Sequence, residues 1–356
     1  MPAPLTTAIV HTLLHSFWEA AVIALFAALL LTATRRRRAV VQYNLLLLLM
    51  GGFSATVVIT FLIELGGATA EGPRLTMPAI TALIDRYGTG AFIDDHATAM
   101  IRIWAGILVL RIGWLGVDVH GLNRLKRVHT ALPDSRWSTM VDEGCARLGI
   151  TRPVRLLESA IIRVPMVIGY LRPLILVPAG LLSHLPPAEV EAILLHELAH
   201  IRRGDWLVNG CVQVLQSIFF FNPAVCWLGH MLRTERENCC DDLAVQLTGS
   251  KATYVRTLIR FSERDFRRPV FALTFPGAKN ATLERIERLA AGRNRALSRL
   301  EALLLIVMIG LSAWLVPADN RLRPTAGNRL HPTDSPDMAA KKKAEAMAMQ
   351  RYRSQK

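Results

Sequence analysis

The stretch HELAHIRRGDW, residues 196–206, contains the pattern H-E-x-x-H, and the interpretation of the whole chain depends on it. In a helix, His196 and His200 are four residues apart on one face, so both imidazoles can reach one metal ion. Glu197 is the next position around the helix, where its carboxylate can orient a water molecule and take its proton. The sequence therefore predicts two zinc ligands and a general base. The alternative is an amphipathic helix with two surface histidines.

A catalytic zinc ion needs a third protein ligand, because such sites bind the metal through three side chains and leave the fourth position open. The segment RTERENCCDDLAVQLTG, residues 233–249, is also expected to be helical and to end at Gly249. Within it, Glu237 is the preferred ligand, and Asp241 lies one turn later on the same face. Asp241 is placed to accept a hydrogen bond from the distal nitrogen of a ligand histidine. A solvated acidic face is the alternative.

The composition indicates a membrane protein. Hydrophobic residues make up 52% of the 356 residues and the mean hydropathy is +0.31, which is too apolar for an ordinary soluble domain. A helix crosses a bilayer with roughly 20 residues, and four stretches are long and apolar enough to do so. They are residues 8–33, 40–65, 100–119 and 300–316.

Basic residues predict the orientation of these spans. Four arginines, Arg35 to Arg38, follow the first span directly and are expected in the cytoplasm. The N-terminus and the loop 66–98 then lie outside the cell, and residues 120–297 form a cytosolic domain at the inner membrane. The net charge of +14 is explained by this topology and by attraction to anionic membrane lipid. No direct binding to nucleic acid is expected.

The segment 207–232 is apolar, but Asn222-Pro223 and several other polar residues interrupt it. If it crossed the membrane, His200 and Glu237 would be separated by about 30 Å of hydrocarbon. Both must lie within about 2 Å of one zinc ion. We therefore expect a re-entrant or interfacial hairpin that turns near Asn222-Pro223.

The blocks HELAHIRRGDW, FFFNPAVCW and RENCCDDLA together resemble the BlaR/MecR-type antirepressor membrane zinc metallopeptidases (metallopeptidase family 56). A further block, RVPMVIGYLRPLILVP at 163–178, is similar to a strand pair of that family. The resemblance implies that His196, His200 and Glu237 bind one zinc ion and that Glu197 is catalytic. It also implies an α+β, gluzincin-type protease domain inserted between the third and fourth spans.

The best-known members of that family sense β-lactams outside the cell and trigger the loss of a cytosolic repressor. This chain has no S-x-x-K acylation motif and no penicillin-binding sensor domain after its last span. The implied partners are a protein or peptide substrate, such as a cytosolic winged-helix repressor, and a separate sensor protein. Self-cleavage near residues 281–299, which are expected to form a basic amphipathic helix, and a homodimer are further hypotheses.

Other residues have weaker assignments. Val164, Met166 and Ile168 belong to a β-branched segment that can pair with an extended substrate, although a purely structural hairpin is equally consistent with it. His230 is a candidate oxyanion stabiliser or a structural histidine. Asp205 is expected to form a cap or to pair with Arg202 or Arg203. Cys239 and Cys240 are candidate extra metal ligands, with a core position favoured because adjacent helix positions point about 100° apart.

The sequence thus predicts a mainly α membrane protein. Its expected parts are a membrane domain at 1–119, a cytosolic zinc metalloprotease domain at 120–297, a fourth span at 298–317 and a disordered basic tail at 318–356. The leading function is a zinc endopeptidase in signal transduction. A housekeeping membrane protease and a non-catalytic receptor or scaffold that retains the fold are the alternatives.

Overall fold

The computed structural model describes residues 4–69, 89–125, 130–169, 172–265, 278–295 and 297–315. The helices are α1 Pro4–Ala33, α2 Ala39–Thr69, α3 Thr89–Leu125, α4 Ser135–Leu148, α5 Leu181–His184, α6 Pro187–Arg203, α7 Asp205–Ile218, α8 Pro223–Thr248, α9 Lys251–Asp265, α10 Ala278–Ala291 and α11 Arg299–Leu315. The strands are β1 Thr130–Ala131, β2 Arg155–Ser159, β3 Met166–Ile168 and β4 Leu174–Pro178.

Three helices in the described part of the chain are long and apolar enough to cross a membrane. They span Leu5–Ala33, Ala39–Gly66 and His96–Val117, which agrees with the first three predicted spans. The predicted fourth span corresponds to α11, whose 17 described residues are fewer than the roughly 20 needed to cross a bilayer. The protein is thus a membrane protein, and its fourth crossing stays a prediction.

The predicted outer loop 66–98 differs from the structure at both ends. Helix α2 continues to Thr69 and helix α3 begins at Thr89, so both helices extend beyond their apolar stretches. A helix satisfies its own backbone hydrogen bonds and can continue into water where its side chains become polar. The remainder of that loop and the predicted tail 318–356 lie outside the described residues.

Helices α1 and α2 pack closely as an antiparallel hairpin. Buried alanines of α1, including Ala20, Ala24 and Ala27, are completely enclosed and belong to the same apolar cluster as Leu46 and Phe53 of α2. Small side chains let two helices approach closely, and this is how membrane helices gain van der Waals contact. The hairpin provides the surface on which the α7–α8 segment is seated.

The segment predicted as a hairpin turns back between Ile218 and Pro223. Its tip contacts the first two membrane helices: the Asn222 amide donates to the Ser16 carbonyl oxygen at 2.9 Å, and Phe219 packs edge-on against Phe53. Asn222 also caps α8 by accepting from the backbone N–H groups of Ala224 and Val225. Helices α7 and α8 therefore both lead from this tip back to the same end of the molecule.

A four-stranded mixed sheet lies against α6, the helix that carries the H-E-x-x-H motif. The strand order is β1-β2-β4-β3, with β2 and β4 parallel and the other two pairs antiparallel. Ile175, Leu176 and Val177 of β4 are completely buried, as expected for a central strand covered on both faces. The strand pair expected at 163–178 is present as β3 and β4, and β3 lies at the sheet edge in contact with α6.

Candidate metal centre

Helix α6 holds the H-E-x-x-H motif rigidly at the centre of the domain. Pro187 occupies its first turn, and Leu194, Leu195 and Leu198 are buried in the main apolar cluster. The helix ends at Gly204, whose φ of 68° is left-handed and whose N–H bonds back to the His200 and Ile201 carbonyl oxygens. This glycine ends the helix about one turn after the second histidine and redirects the chain into α7.

The structure brings the three predicted ligands together. His196 and His200 from α6 meet Glu237 from α8, and one donor atom from each lies within 4.8 Å of the other two. The Glu237 Oε2 atom is 3.5 Å from His196 Nε2 and 3.7 Å from His200 Nε2. Two ligands of a tetrahedral zinc ion, each about 2.05 Å from the metal, are about 3.3 Å apart. The donor set and its spacing therefore fit a zinc ion.

The other nitrogen of each imidazole is bonded to a carboxylate. His196 Nδ1 lies 3.2 Å from Asp241 Oδ1 and 2.9 Å from the Tyr254 hydroxyl, which donates to the same carboxylate. His200 Nδ1 lies 2.8 Å from Asp205 Oδ2. These contacts fix both rings so that Nε2 faces Glu237, the arrangement that metal-ligating histidines adopt. Asp241 lies where its predicted role requires.

Two residues in these contacts were not assigned from the sequence. Asp205 was expected only as a cap or as a partner of Arg202 or Arg203, and it does bond Arg203 Nε at 3.2 Å. Its contact with His200 is additional. The sequence does contain one indication of this contact: Asp205 directly follows the helix-ending glycine and is five residues beyond His200. Tyr254 has no such local indication, because it is 58 residues from His196 in sequence.

Arginines neutralise the carboxylates around the centre. Arg236 Nη2 lies 2.9 Å from Glu237 Oε1, the oxygen that does not face the histidines. Arg285 of α10 pairs with Asp241 and also lies 3.9 Å from Glu237 Oε2. Arg288, one turn later, pairs with Asp242 at 2.6 Å. The basic amphipathic helix predicted at 281–299 is present only up to Ala291, as the second part of α10, and this helix directs Arg285 and Arg288 toward α8.

The pKa values of the two histidines and of the carboxylates around them are shifted by the electrostatic field at the centre. Burial alone would lower the pKa of both histidines, but the carboxylates outweigh it and raise the pKa of His196 and, more strongly, that of His200. Burial alone would raise the pKa of Glu237 and Asp241, yet the two histidines hold the pKa of Glu237 well below its usual range, and Arg285 and His196 hold that of Asp241 below its usual range. A field that stabilises an imidazolium also favours a divalent cation between the two rings.

A second group of donor atoms overlaps with the first. His200, Asp205 and Cys240 also lie within 4.8 Å of one another, with Cys240 Sγ 3.3 Å from His200 Nδ1. On this side His200 Nδ1 is already hydrogen-bonded to Asp205 at 2.8 Å, and burial raises the pKa of the Cys240 thiol to about 11. Cys239 belongs to the apolar cluster of the membrane helices, as the core interpretation expected. The Nε2 side, with Glu237, is thus the better metal site.

The remaining predicted site residues lie on α6 and in or beside β3. Glu197 adjoins His196 on α6 and is 9% exposed. Met166 and Ile168 lie in the edge strand β3, opposite Leu176 and Leu174 of β4, whereas Val164 precedes the strand and is 41% exposed.

His230 lies on α8, about two turns before Glu237. It is exposed, and the charged groups that act on it are Arg233, Glu301, Arg295 and Glu284, not the candidate ligands. Its assignment as an oxyanion stabiliser therefore gains no support from its surroundings and stays a sequence prediction.

Comparison with known proteins identifies the class. A family model described as BlaR1 peptidase M56 matches residues 91–289, more than half of the chain. The chain therefore belongs to the M56 peptidases, a metallopeptidase family, as its sequence blocks indicated.

Individual relatives include the regulatory protein BlaR1 of Bacillus licheniformis, which is 32% identical over 111 residues, or 31% of this chain and 18% of BlaR1. The methicillin resistance MecR1 protein of Staphylococcus aureus strain Mu50 is 35% identical over 77 residues, or 22% of this chain and 13% of MecR1. The matched segments thus cover less than a fifth of either relative.

Proposed function

We propose that this protein is a membrane-embedded zinc endopeptidase that hydrolyses peptide bonds at the cytosolic face of the inner membrane. The observation that carries the proposal is the convergence of His196 Nε2, His200 Nε2 and Glu237 Oε2 while each histidine's Nδ1 is bonded to a carboxylate. Three ligands and one open position are the arrangement of a catalytic zinc site. A structural zinc site has four protein ligands instead.

The chemistry assigned to the chain's own residues follows from their positions. Zinc, when bound, polarises the scissile carbonyl and makes a water molecule more acidic. Glu197 takes the proton of the attacking water and returns it to the leaving amine. The edge strand β3, which contacts α6, can align an extended substrate by main-chain hydrogen bonds through Met166 and its neighbours. Arg236 and Arg285 pair with Glu237 and Asp241 and so neutralise part of the negative charge around the centre.

The relatives support a role in regulation. One is named a regulatory protein and another a methicillin resistance protein. We infer that this chain acts in signal transduction by direct or indirect inactivation of a transcriptional repressor, for which a cytosolic winged-helix protein is the candidate substrate. A separate sensor protein would supply the stimulus, and self-cleavage would accompany activation.

The proposal is tested by comparing cells that express the wild type, Glu197→Gln or Glu191→Gln and sequencing the new protein N-termini in each. Glu191→Gln is the matched control, since Glu191 lies on the same helix and pairs with Arg147 away from the centre. We expect a small set of cleavage products in the wild type and the control that disappears in Glu197→Gln.

Identical sets of termini in all three strains would favour the non-catalytic scaffold. A broad set of cleaved membrane proteins without a transcriptional regulator would favour the housekeeping protease. A set that contains one regulator, or this chain itself, supports the signalling function.

A further inference from the structure

Two turns of the chain are joined at the end of the membrane helices. One is the α1–α2 turn, residues 34–38, and the other is the α10–α11 turn, residues 292–295. Asn294, which is 3% exposed, donates its backbone N–H to the Arg35 carbonyl and its side-chain amide to the Arg37 carbonyl, each at 3.0 Å. Arg35 Nε donates in return to the Asn294 carbonyl at 3.4 Å. These bonds hold two segments about 260 residues apart in sequence as one surface.

Arginines cover this surface, which we call the arginine surface. Its exposed members are Arg36, Arg37, Arg38, Arg293 and Arg299. The ion pairs found among the described residues include none of these five, whereas the neighbouring Arg295 is paired with Glu284 and Glu301. Like charges repel, so five exposed arginines on or beside two joined turns favour the binding of an anion that neutralises them.

The arginine surface lies at the level where lipid headgroups are expected. It joins the end of α1 to the start of α2, both of which are long and apolar enough to cross a membrane, and it includes the first residue of the apolar helix α11. Guanidinium groups form paired hydrogen bonds with phosphate oxygens, which makes arginine the preferred residue for phosphate recognition.

We propose that the arginine surface is a binding site for the phosphate headgroup of an anionic phospholipid. Residues that serve only as topology signals need a positive charge but no fixed arrangement. Here a buried asparagine fixes the backbones of the two turns against each other: its side-chain amide donates to the Arg37 carbonyl, and its own carbonyl accepts from Arg35 Nε.

Hydrogen bonds also connect the arginine surface to α8, the helix that carries the candidate ligand Glu237. Arg288 donates to Asn294 Oδ1 at 3.5 Å, and it donates to the Asn238 carbonyl of α8 at 3.0 Å. Asn238 follows the candidate ligand Glu237 directly. Lipid binding at the arginine surface does not require the proposed peptidase activity.

The test uses the full chain in a neutral detergent, titrated with dioctanoyl phosphatidylglycerol or with dioctanoyl phosphatidylcholine. Bound lipid is counted by native mass spectrometry and followed by the rise in melting temperature, since a ligand that binds only the folded state stabilises it. We expect the wild type to bind the anionic lipid at least about tenfold more tightly than the zwitterionic one. Arg293→Gln/Arg299→Gln should lower the affinity for phosphatidylglycerol about thirtyfold, because each basic residue contributes roughly fivefold.

Two further variants are the controls. Arg155→Gln/Arg256→Gln removes two exposed arginines elsewhere and should change the affinity by less than about twofold, since distant charges are screened. Arg293→Lys/Arg299→Lys keeps the charge but loses the paired guanidinium hydrogen bonds, so it should bind phosphatidylglycerol more weakly than the wild type and more tightly than Arg293→Gln/Arg299→Gln. The proposal is wrong if the wild type does not prefer phosphatidylglycerol, which needs no variant to fold. It is equally wrong if both double glutamine variants lose affinity to the same degree, because net charge alone then explains the binding.

Discussion

The contact between Asp205 and His200 predicts that a residue without a direct role in the reaction controls metal affinity. Asp205 is buried, and its Oδ2 atom lies 2.8 Å from His200 Nδ1, so it orients the ring and favours the tautomer with Nε2 free for zinc. Loss of such a partner lowers metal affinity by about 10–100-fold, or about 1.4–2.7 kcal/mol. Asp205→Asn keeps an acceptor oxygen and should lie at the lower end of that range, whereas Asp205→Ala should lie at the upper end.

The assay is a competition for zinc between the purified full chain and a fluorescent chelator of known affinity. Asp142→Asn is the matched control, since Asp142 is an exposed aspartate on α4. A folded Asp205→Ala variant whose zinc affinity stays within about twofold of the wild type would refute the reasoning, because a contact that orients a ligand must affect metal binding.

Further predictions concern the surroundings of the centre and the hairpin tip. Asp241→Asn should lower the free energy of unfolding by about 3 kcal/mol, measured by thermal unfolding in detergent, because Arg285 then keeps a buried charge without its main partner. Tyr254→Phe should lower zinc affinity about fivefold in the chelator competition, through loss of one hydrogen bond to His196. Asn222→Ala should destabilise the protein by about 2 kcal/mol, about 1 kcal/mol for the cap of α8 and about 1 kcal/mol for the bond to α1. Asn209→Ala, on the other helix of the hairpin, should change stability by less than about 0.5 kcal/mol.

Local spacing was sufficient to predict which residues lie on the same helix face in the candidate centre. His196 and His200 share a face because they are four residues apart, and the same spacing relates Glu237 to Asp241. The requirement that both halves meet at one metal ion then predicted that the chain turns back near Asn222-Pro223. The structure has that turn between α7 and α8, with Asn222 as the cap of α8.

Apart from Asp241, the residues that contact the candidate ligands or their partners were not predictable in this way. Tyr254 and Arg285 reach Asp241 from α9 and α10, 13 and 44 residues further along the chain, so only the packing of those helices brings them close. Asp205 is near His200 in sequence, but its contact depends on the left-handed turn at Gly204 that redirects α7. Hydropathy likewise predicted the apolar parts of α2 and α3 but not the residues at which the loop-side ends of these helices lie. Helical hydrogen bonding continues past the last apolar residue.

The most direct test of the proposed metal centre is the zinc content of the purified full chain, measured by atomic emission for the wild type, His196→Ala and Glu197→Gln. Three convergent candidate ligands predict one zinc ion per chain in the wild type and also in Glu197→Gln, since the role proposed for Glu197 is to act on water and not to bind the metal. His196→Ala should retain less than about a tenth of that amount. A wild type without zinc, or a His196→Ala variant with a full equivalent, would contradict the assignment of this centre.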